Sequence, residues 1–214
     1  MIQVLLADDH QMVRTGIARM IEDAPDMEVI GEVGSGEAAL SFCQQHRPDV
    51  VMMDVRMPGL GGLEATRKLR QMVPDTRIIA ISACDQEPLP SRLLKAGAAA
   101  YVSKDTSELE MLKAIREVAA GRRYLSPAIA QQIALNGLSE TAESPFDELS
   151  EREMQICLMI ANCQKVQDIA DQLHITPKTV NSYRYRIFEK LDLSGDVELT
   201  LMAIRHGLIE SPAN

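Results

Sequence analysis

Along the first 121 residues, short unbroken apolar runs alternate with segments whose apolar residues recur at helical spacing. The runs occupy residues 2–7, 28–33, 50–54, 77–82 and 99–103, and their starts lie 26, 22, 27 and 22 residues apart. A strand that is apolar at every position, rather than at every second one, is buried on both faces, as happens in parallel sheets flanked by helices. The segments between the runs, among them 36–46 and 62–72, are long enough to carry the chain back over the sheet to the next parallel strand. The pattern predicts a doubly wound, flavodoxin-like α/β domain over residues 1–121, with five parallel strands.

From residue 122 the pattern changes. Ser126 followed by Pro127 predicts the cap and first residue of a short helix that ends near Asn136 and Gly137. The stretch 137–145 is rich in Ser, Thr, Glu and Ala and lacks apolar periodicity, so 122–145 reads as a linker with one helix in it. Residues 146–210 carry no strand signal. A Ser150-Glu151-Arg152-Glu153 capping box opens a helix to about Cys163, and helices follow over 166–173, 177–191 and 197–206. Four short helices with tight connections predict a small all-α domain.

In open parallel sheets the ligand crevice lies beyond the carboxyl ends of the strands. Asp8 and Asp9 follow the first run, Asp54 ends the third, Ser82 ends the fourth, and Lys104 follows the fifth. A strand order 2-1-3-4-5 makes the ends of strands one and three neighbours, so that Asp8, Asp9 and Asp54 converge. Like charges this close destabilise one another unless a cation holds them. Hard carboxylate oxygens suit Mg²⁺, and Asp54 can then act as a nucleophile towards a phosphoryl group. Lys104 offers a compact positive charge and Ser82 a hydroxyl to the same phosphoryl oxygens. One Asp after a strand is commonly a turn former or a helix cap; five polar residues at four of five strand ends are not explained that way. Tyr101 reads on its own as a strand aromatic at the sheet edge, and Met57-Pro58-Gly59 as a plain turn. His10 reads as a helix-start or surface residue, with no evident acid partner.

Composition adds exclusions. Hydrophobic residues make up 46% and charged residues 25%, ordinary globular values that argue against disorder. No apolar run approaches the roughly 20 residues that span a bilayer, and Met1-Ile2-Gln3-Val4 lacks a basic leader region. Four cysteines (Cys43, Cys84, Cys157, Cys163) show neither Cys-x-x-Cys nor metal spacing, so a reducing cytoplasm is expected. The absence of Trp and an aromatic share of 3% disfavour stacking platforms for single strands.

The net charge of −9, from 22 Lys+Arg against 31 Asp+Glu, argues against nucleic acid in general, because DNA affinity rests on neutralising phosphates. The helix 177–191 departs from this, with Lys178, Arg184, Arg186 and Lys190 against Glu189 alone. At about 100° per residue, Val180, Ile187 and Leu191 share one face, while Lys178, Asn181, Ser182, Tyr185 and Glu189 take the opposite one. The preceding helix, a turn through His174-Ile175, Thr176 as N-cap and Pro177 at the first helical position compose a helix-turn-helix suited to the major groove. A solvated face on a bundle helix has the same pattern. The last helix carries two apolar stripes, Val197, Leu201, Ile204 and Leu208 on one side and Leu199, Met202 and Ala203 on another. One can pack on its own domain while the other joins a second subunit, or the first domain; Val197, Leu201 and Ile204 are expected to form a dimer face.

Residues 1–121 resemble a response-regulator receiver domain, through Asp8-Asp9, Asp54, Met57-Pro58-Gly59, Ser82, Tyr101 and Lys104. The resemblance implies that Asp54 accepts a phosphoryl group from a sensor histidine kinase. It also implies Mg²⁺ held by Asp9, Asp54 and the Arg56 backbone carbonyl with Asp8 assisting, and a shift of Ser82 and Tyr101 on phosphorylation. Two departures stand out: Asp105 follows Lys104 where receivers commonly place Pro, and Ser82 stands where Thr is frequent.

Residues 146–208 resemble the LuxR-type (NarL/FixJ) DNA-binding domain, through Leu149 to Glu153, Ile169-Ala170 and Thr176 to Asn181. The whole chain is similar to the GacA/UvrY group, through Glu87-Pro88-Leu89-Pro90, Ser144-Pro145-Phe146 and the stretches 180–186, 195–200 and 203–208. This implies a transcription regulator of double-stranded DNA, a homodimer when phosphorylated, paired with a hybrid kinase of the GacS/BarA type and acting chiefly on genes for small regulatory RNAs. Asn181, Ser182 and Tyr185 then face bases, and Lys178, Thr179, Arg184 and Arg186 contact phosphates. A non-enzymatic, non-membrane protein is expected. Two rivals are a Mg²⁺-dependent phosphohydrolase, for which the sequence offers no general base near Asp54, and a regulator active without phosphorylation.

Overall fold

The computed structural model describes residues 1–83, 89–138, 144–206 and 208–209. Cys84, the Glu87 and Pro88 of one similarity motif, Gly207 of another and part of the expected linker lie outside the described residues. The strands are β1 (Ile2–Ala7), β2 (Met27–Val33), β3 (Val50–Asp54), β4 (Arg77–Ser82), β5 (Ala100–Ser103) and β6 (Tyr124–Leu125). They form one sheet in the order β2-β1-β3-β4-β5-β6, with every neighbouring pair parallel. The crossover helices are α1 (Gln11–Glu22), α2 (Gly36–His46), α3 (Gly61–Met72), α4 (Leu89–Ala96) and α5 (Glu108–Ala119).

The sheet therefore has six strands rather than the expected five. Gly121, at φ +81°, turns the chain after α5, and the Tyr124 N–H donates to the Ala99 carbonyl at 3.1 Å. The added strand is two half-buried residues long, too short to register as an apolar run. The other strands follow from burial on both faces. Val4, Leu6, Val50, Met52, Ile79 and Ile81 pack towards α1 and α5 with Ile17, Ile21, Met111 and Ile115. The alternate residues Leu5, Ala7, Val51, Met53 and Ile78 pack with Ala39, Cys43, Ala65 and Leu69 of α2 and α3. At about 25 cal/mol per Å², these two layers supply the main drive for folding this unit.

The chain divides into two compact units between Gln131 and Gln132, inside α6 (Pro127–Leu138). In the second unit a 3₁₀ turn (Pro145–Glu148) precedes α7 (Glu151–Ala161), α8 (Val166–Gln172), α9 (Pro177–Leu191) and α10 (Asp196–Arg205). The helix starts are encoded locally. Ser150 Oγ accepts from the Glu153 N–H and Glu153 Oε2 accepts from the Ser150 N–H, while Thr176 Oγ1 accepts from the Thr179 N–H ahead of Pro177. The 3₁₀ turn is not expected from sequence; it places Phe146 fully inside the unit, edge-on to His206. Phe146, Ile156, Cys157, Ile169, Val180, Ile187, Leu199 and Ala203 are buried here. Among the described residues no helix is long and apolar enough to cross a membrane.

Candidate functional site

The parallel sheet brings the ends of β1, β3, β4 and β5 side by side, and backbone hydrogen bonds fix their levels. The Val55 N–H donates to the Ile81 carbonyl at 3.0 Å, and the Lys104 N–H donates to the Ser82 carbonyl at 2.8 Å. Asp8 and Asp54 are 2% exposed and Ser82 1%, although all three are polar. The Lys104 ammonium lies 3.0 Å from Asp54 Oδ2 and 2.7 Å from Asp8 Oδ2. The Arg56 N–H donates to Asp54 Oδ1 at 3.2 Å, so the residue expected to lend its carbonyl is held beside that carboxylate. The loop after Lys104 closes with Asp105 in place of Pro, through an Asp105 N–H bond to Ser103 Oγ and a Thr106 N–H bond to the Ser103 carbonyl.

Electrostatics follow from this crowding. Burial, reinforced by the Asp8 charge, pushes the Asp54 carboxyl up to about 6 despite the opposing pull of Lys104. Burial alone depresses the Lys104 ammonium, but the attraction of Asp54 and Asp8 outweighs it and holds the group above its ordinary value. Asp8 and Asp54 face one ammonium and Asp9 lies beside them, which leaves an excess of negative charge on oxygens that are hard donors. That donor set fits a hard dication such as Mg²⁺.

Asp8, Asp9, His10 and Asp54 offer ligand atoms that all lie within 4.8 Å of one another. His10 is the expected helix-start and surface residue, the N-cap of α1 with a 65% exposed side chain; what sequence reasoning missed is its place beside the acids. Its Nδ1 lies 2.8 Å from Asp9 Oδ1 and 3.3 Å from Asp8 Oδ1, so its acid partners are its two preceding neighbours. They meet because the His10 N–H donates to Asp8 Oδ1 at 2.7 Å, turning the chain back on itself before α1. Arg14 is a residue that sequence reasoning missed: it donates to the Asp8 carbonyl and, at 3.2 Å, to Glu32 Oε2, bracing the end of β1 against β2. Tyr101 is fully buried and central rather than at an edge, because β6 covers the far side of β5.

In the second unit, α9 buries Val180, Ile187 and Leu191 and exposes Lys178, Ser182, Tyr185 and Arg186, with Thr179 and Asn181 half-buried. Ser182 Oγ donates to the Lys178 carbonyl at 3.0 Å, and Tyr185 is 74% exposed. Two of the four basic residues are engaged internally. Arg184 forks onto Asp196, the first residue of α10, at 2.7 and 2.5 Å, and its guanidinium lies 5.5 Å from the Phe188 ring centre. Lys190 donates to Glu153 Oε2 at 2.7 Å and to the Glu148 carbonyl at 3.1 Å. The outward charge of the helix thus rests on Lys178 and Arg186.

On α10, Leu199 and Ala203 are buried, Val197 is 74% and Leu201 49% exposed, and Ile204 is half-buried. Leu208, placed by helical spacing on the stripe of Val197, Leu201 and Ile204, is buried and so parts from the exposed Val197 and Leu201. The helix ends at Arg205, and the Leu208 N–H folds back to the Ala203 carbonyl at 2.8 Å, so helical spacing no longer applies there.

Comparison with known proteins agrees with both units. Residues 4–116 match the response regulator receiver domain, and residues 147–203 match the luxR family of bacterial regulatory proteins. The response regulator GacA of Pseudomonas viridiflava is 56% identical over 214 residues, covering 100% of both chains. The response regulator UvrY of Escherichia coli K12 is 53% identical over 209 residues, covering 97% of this chain and 96% of its own. A crystal structure of a LuxR-family two-component response regulator from Aurantimonas sp. SI85-9A1 superposes with a TM-score of 0.62 at 37% identity, covering 64% of this chain and 98% of that one. A receiver with a buried acidic pocket and a LuxR-type helical unit, matched end to end by such relatives, place this chain in the family of two-component response regulators.

Proposed function

We propose that the protein is a phosphorylation-activated, DNA-binding transcription regulator whose phosphoacceptor is Asp54. The observation that carries the reading is the convergence of Asp8, Asp9 and Asp54 with Lys104 at the carboxyl ends of a parallel sheet. Residues 1–121 act as the phosphoacceptor half, 122–145, which lends β6 to its sheet, as the connection and 146–210 as the DNA-binding half. A carboxylate oxygen of Asp54 attacks the phosphorus of a phosphohistidine on the partner kinase; the P–N bond breaks, and an acyl phosphate forms. Lys104 balances charge on the transferred phosphoryl oxygens and Ser82 donates its hydroxyl to them. Asp8, Asp9, Asp54 and the Arg56 carbonyl would hold Mg²⁺, which would supply positive charge against the same oxygens. Movement of Ser82 and then Tyr101 repacks the surface around α4 and β5 and biases the chain towards its DNA-binding state.

In the DNA-binding half, α8 and α9 act as a helix-turn-helix. Asn181, Ser182 and Tyr185 read base edges, while Lys178, Thr179 and Arg186 hold the backbone. Arg184, expected among the phosphate contacts, serves as a brace to α10 while it is paired with Asp196. The exposed Val197–Leu201 stripe with Ile204 forms the two-fold contact of a homodimer on DNA. Similarity to GacA and UvrY supports a hybrid kinase of the GacS/BarA type as partner, genes for small regulatory RNAs as targets and a cytoplasmic location. The test is phosphoryl incorporation from acetyl phosphate, read by mass spectrometry. Wild type gains one phosphoryl group in a Mg²⁺-dependent manner and Asp54→Asn gains none; equal incorporation in both removes Asp54 from the role.

A further inference from the structure

We infer that His10 is a fourth side-chain ligand of the acidic pocket and makes it prefer a first-row transition dication, such as Mn²⁺ or Co²⁺, over Mg²⁺. The inference rests on the reading of that pocket as a metal site. His10 occupies the N-cap position of α1, yet its side chain does not cap the helix. The bond from its N–H to Asp8 Oδ1 turns the chain so that the imidazole, 65% exposed at the mouth of the pocket, stands beside Asp9 and Asp8. The two oxygens of Asp8 are divided: Oδ2 faces the Lys104 ammonium at 2.7 Å, and Oδ1 faces His10 Nδ1 at 3.3 Å. Arg14 is directed at the Asp8 carbonyl and Glu32, so it does not come between His10 and the acids.

The spacing suits coordination. An octahedral ion with bonds of about 2.1 Å sets adjacent donors about 3.0 Å apart and opposite donors about 4.2 Å apart. His10 Nδ1 stands 2.8 Å from Asp9 Oδ1 and 3.3 Å from Asp8 Oδ1, values that bracket the adjacent spacing. The whole set of Asp8, Asp9, His10 and Asp54 lies within 4.8 Å, a side-chain adjustment away from the opposite spacing. Three carboxylates alone form a hard, all-oxygen site that accepts Mg²⁺. Adding an imidazole nitrogen favours ions further along the series Mn²⁺, Fe²⁺, Co²⁺, whereas Mg²⁺ gains little from nitrogen. The competing role for the imidazole is that of a hydrogen-bond donor that merely orients Asp9, and such a group affects all dications alike.

Calorimetric titration of the full-length protein with Mg²⁺, Mn²⁺ and Co²⁺ separates the two roles. The variants are His10→Ala, and His10→Gln, which keeps an N–H donor but has no imidazole. Both should weaken Mn²⁺ and Co²⁺ by about tenfold or more while leaving Mg²⁺ within about twofold. Pulsed electron paramagnetic resonance of bound Mn²⁺ should show a coordinated nitrogen in the wild type and none in either variant. A uniform loss for all three ions, restored in His10→Gln, or a wild-type Mn²⁺ signal without nitrogen, overturns the inference while leaving the pocket a metal site. A wild type that binds none of the three overturns both.

Discussion

Behind Asp54, Gly62 in the first turn of α3 meets the backbone that carries the carboxylate and has no room for a side chain. A Cβ at Gly62 would stand 1.9 Å from the Asp54 carbonyl oxygen and 2.8 Å from both the Asp54 carbonyl carbon and Val55 Cα. Ordinary C···O contacts begin near 3.3 Å, so Gly62→Ala must open the junction by roughly 1.4 Å. Every clashing atom is main chain, so no side chain can swing aside. Overpacking costs about 1–3 kcal/mol, and the displacement also strains the 3.1 Å bond from the Gly62 N–H to the Val55 carbonyl, worth about 1 kcal/mol. Better helix propensity returns at most about 1 kcal/mol, leaving a net loss of about 2 kcal/mol. Gly16, in mid-α1 with nothing within 4 Å of a Cβ, is the control, and Gly16→Ala should stabilise by about 0.5–1 kcal/mol. Because a two-unit chain has no single unfolding energy, native-state hydrogen exchange of β3 and β4 peptides is the suitable assay. Gly62→Ala should speed that exchange by about thirtyfold and Gly16→Ala should slow it. Displacing the carboxylate by an ångström should also slow acyl-phosphate formation by about a hundredfold. Exchange within about twofold of wild type, together with an unchanged phosphorylation rate, refutes the argument.

Other consequences follow from the helical unit. Lys178→Ala should reduce the dependence of DNA binding on salt by about one unit of log–log slope, whereas Arg184→Ala, which unpairs Asp196, should lower affinity with the slope kept; the reverse pattern, read by anisotropy at several salt concentrations, exchanges their roles. Leu201→Glu should leave circular dichroism unchanged and abolish dimers on DNA in analytical ultracentrifugation, while a normal dimer removes the α10 stripe from the interface. Lys190→Met should destabilise the unit by about 1 kcal/mol at pH 7. Burial raises the Glu153 carboxyl, but the bonds from Lys190 and Ser150 outweigh it and hold the group below its ordinary 4.5. The stabilisation is therefore complete above about 4.5 and fades as pH falls through the lower folded value, so the gap between variant and wild type in urea titrations should narrow at pH 4. A gap of the same size at both pH values excludes this pair as its source.

Much of this architecture is legible in the sequence because its causes are local. Strands buried on both faces read as unbroken apolar runs, and β1, β3 and β4 begin and end where those runs do. The capping box at Ser150 and the Thr176-Pro177 start write helix boundaries directly into side-chain chemistry. What escapes depends on contacts that no spacing announces. β6 exists because an edge is open to Tyr124 and Leu125, not because those residues form a periodic pattern. His10 has no distant acid to mark it in the sequence, since a tight turn brings its own neighbours to it. The local excess of positive charge on α9 is countable from sequence, but its direction is not, since Arg184 and Lys190 turn inward to Asp196 and Glu153. The two stripes of α10 are equally apolar in sequence, and only the contact between α7 and α10 decides that Leu199 and Ala203 face inward.

The central claim, that phosphorylation of Asp54 controls DNA binding, is tested most directly by the affinity of wild type and Asp54→Asn for one duplex. The duplex is that enriched by the acetyl phosphate-treated wild type from a random-sequence library, and each protein is measured with and without Mg²⁺ and acetyl phosphate. Wild type with both reagents should bind more tightly than wild type with either one missing, and Asp54→Asn should bind weakly throughout. Equal affinity in every sample contradicts the account.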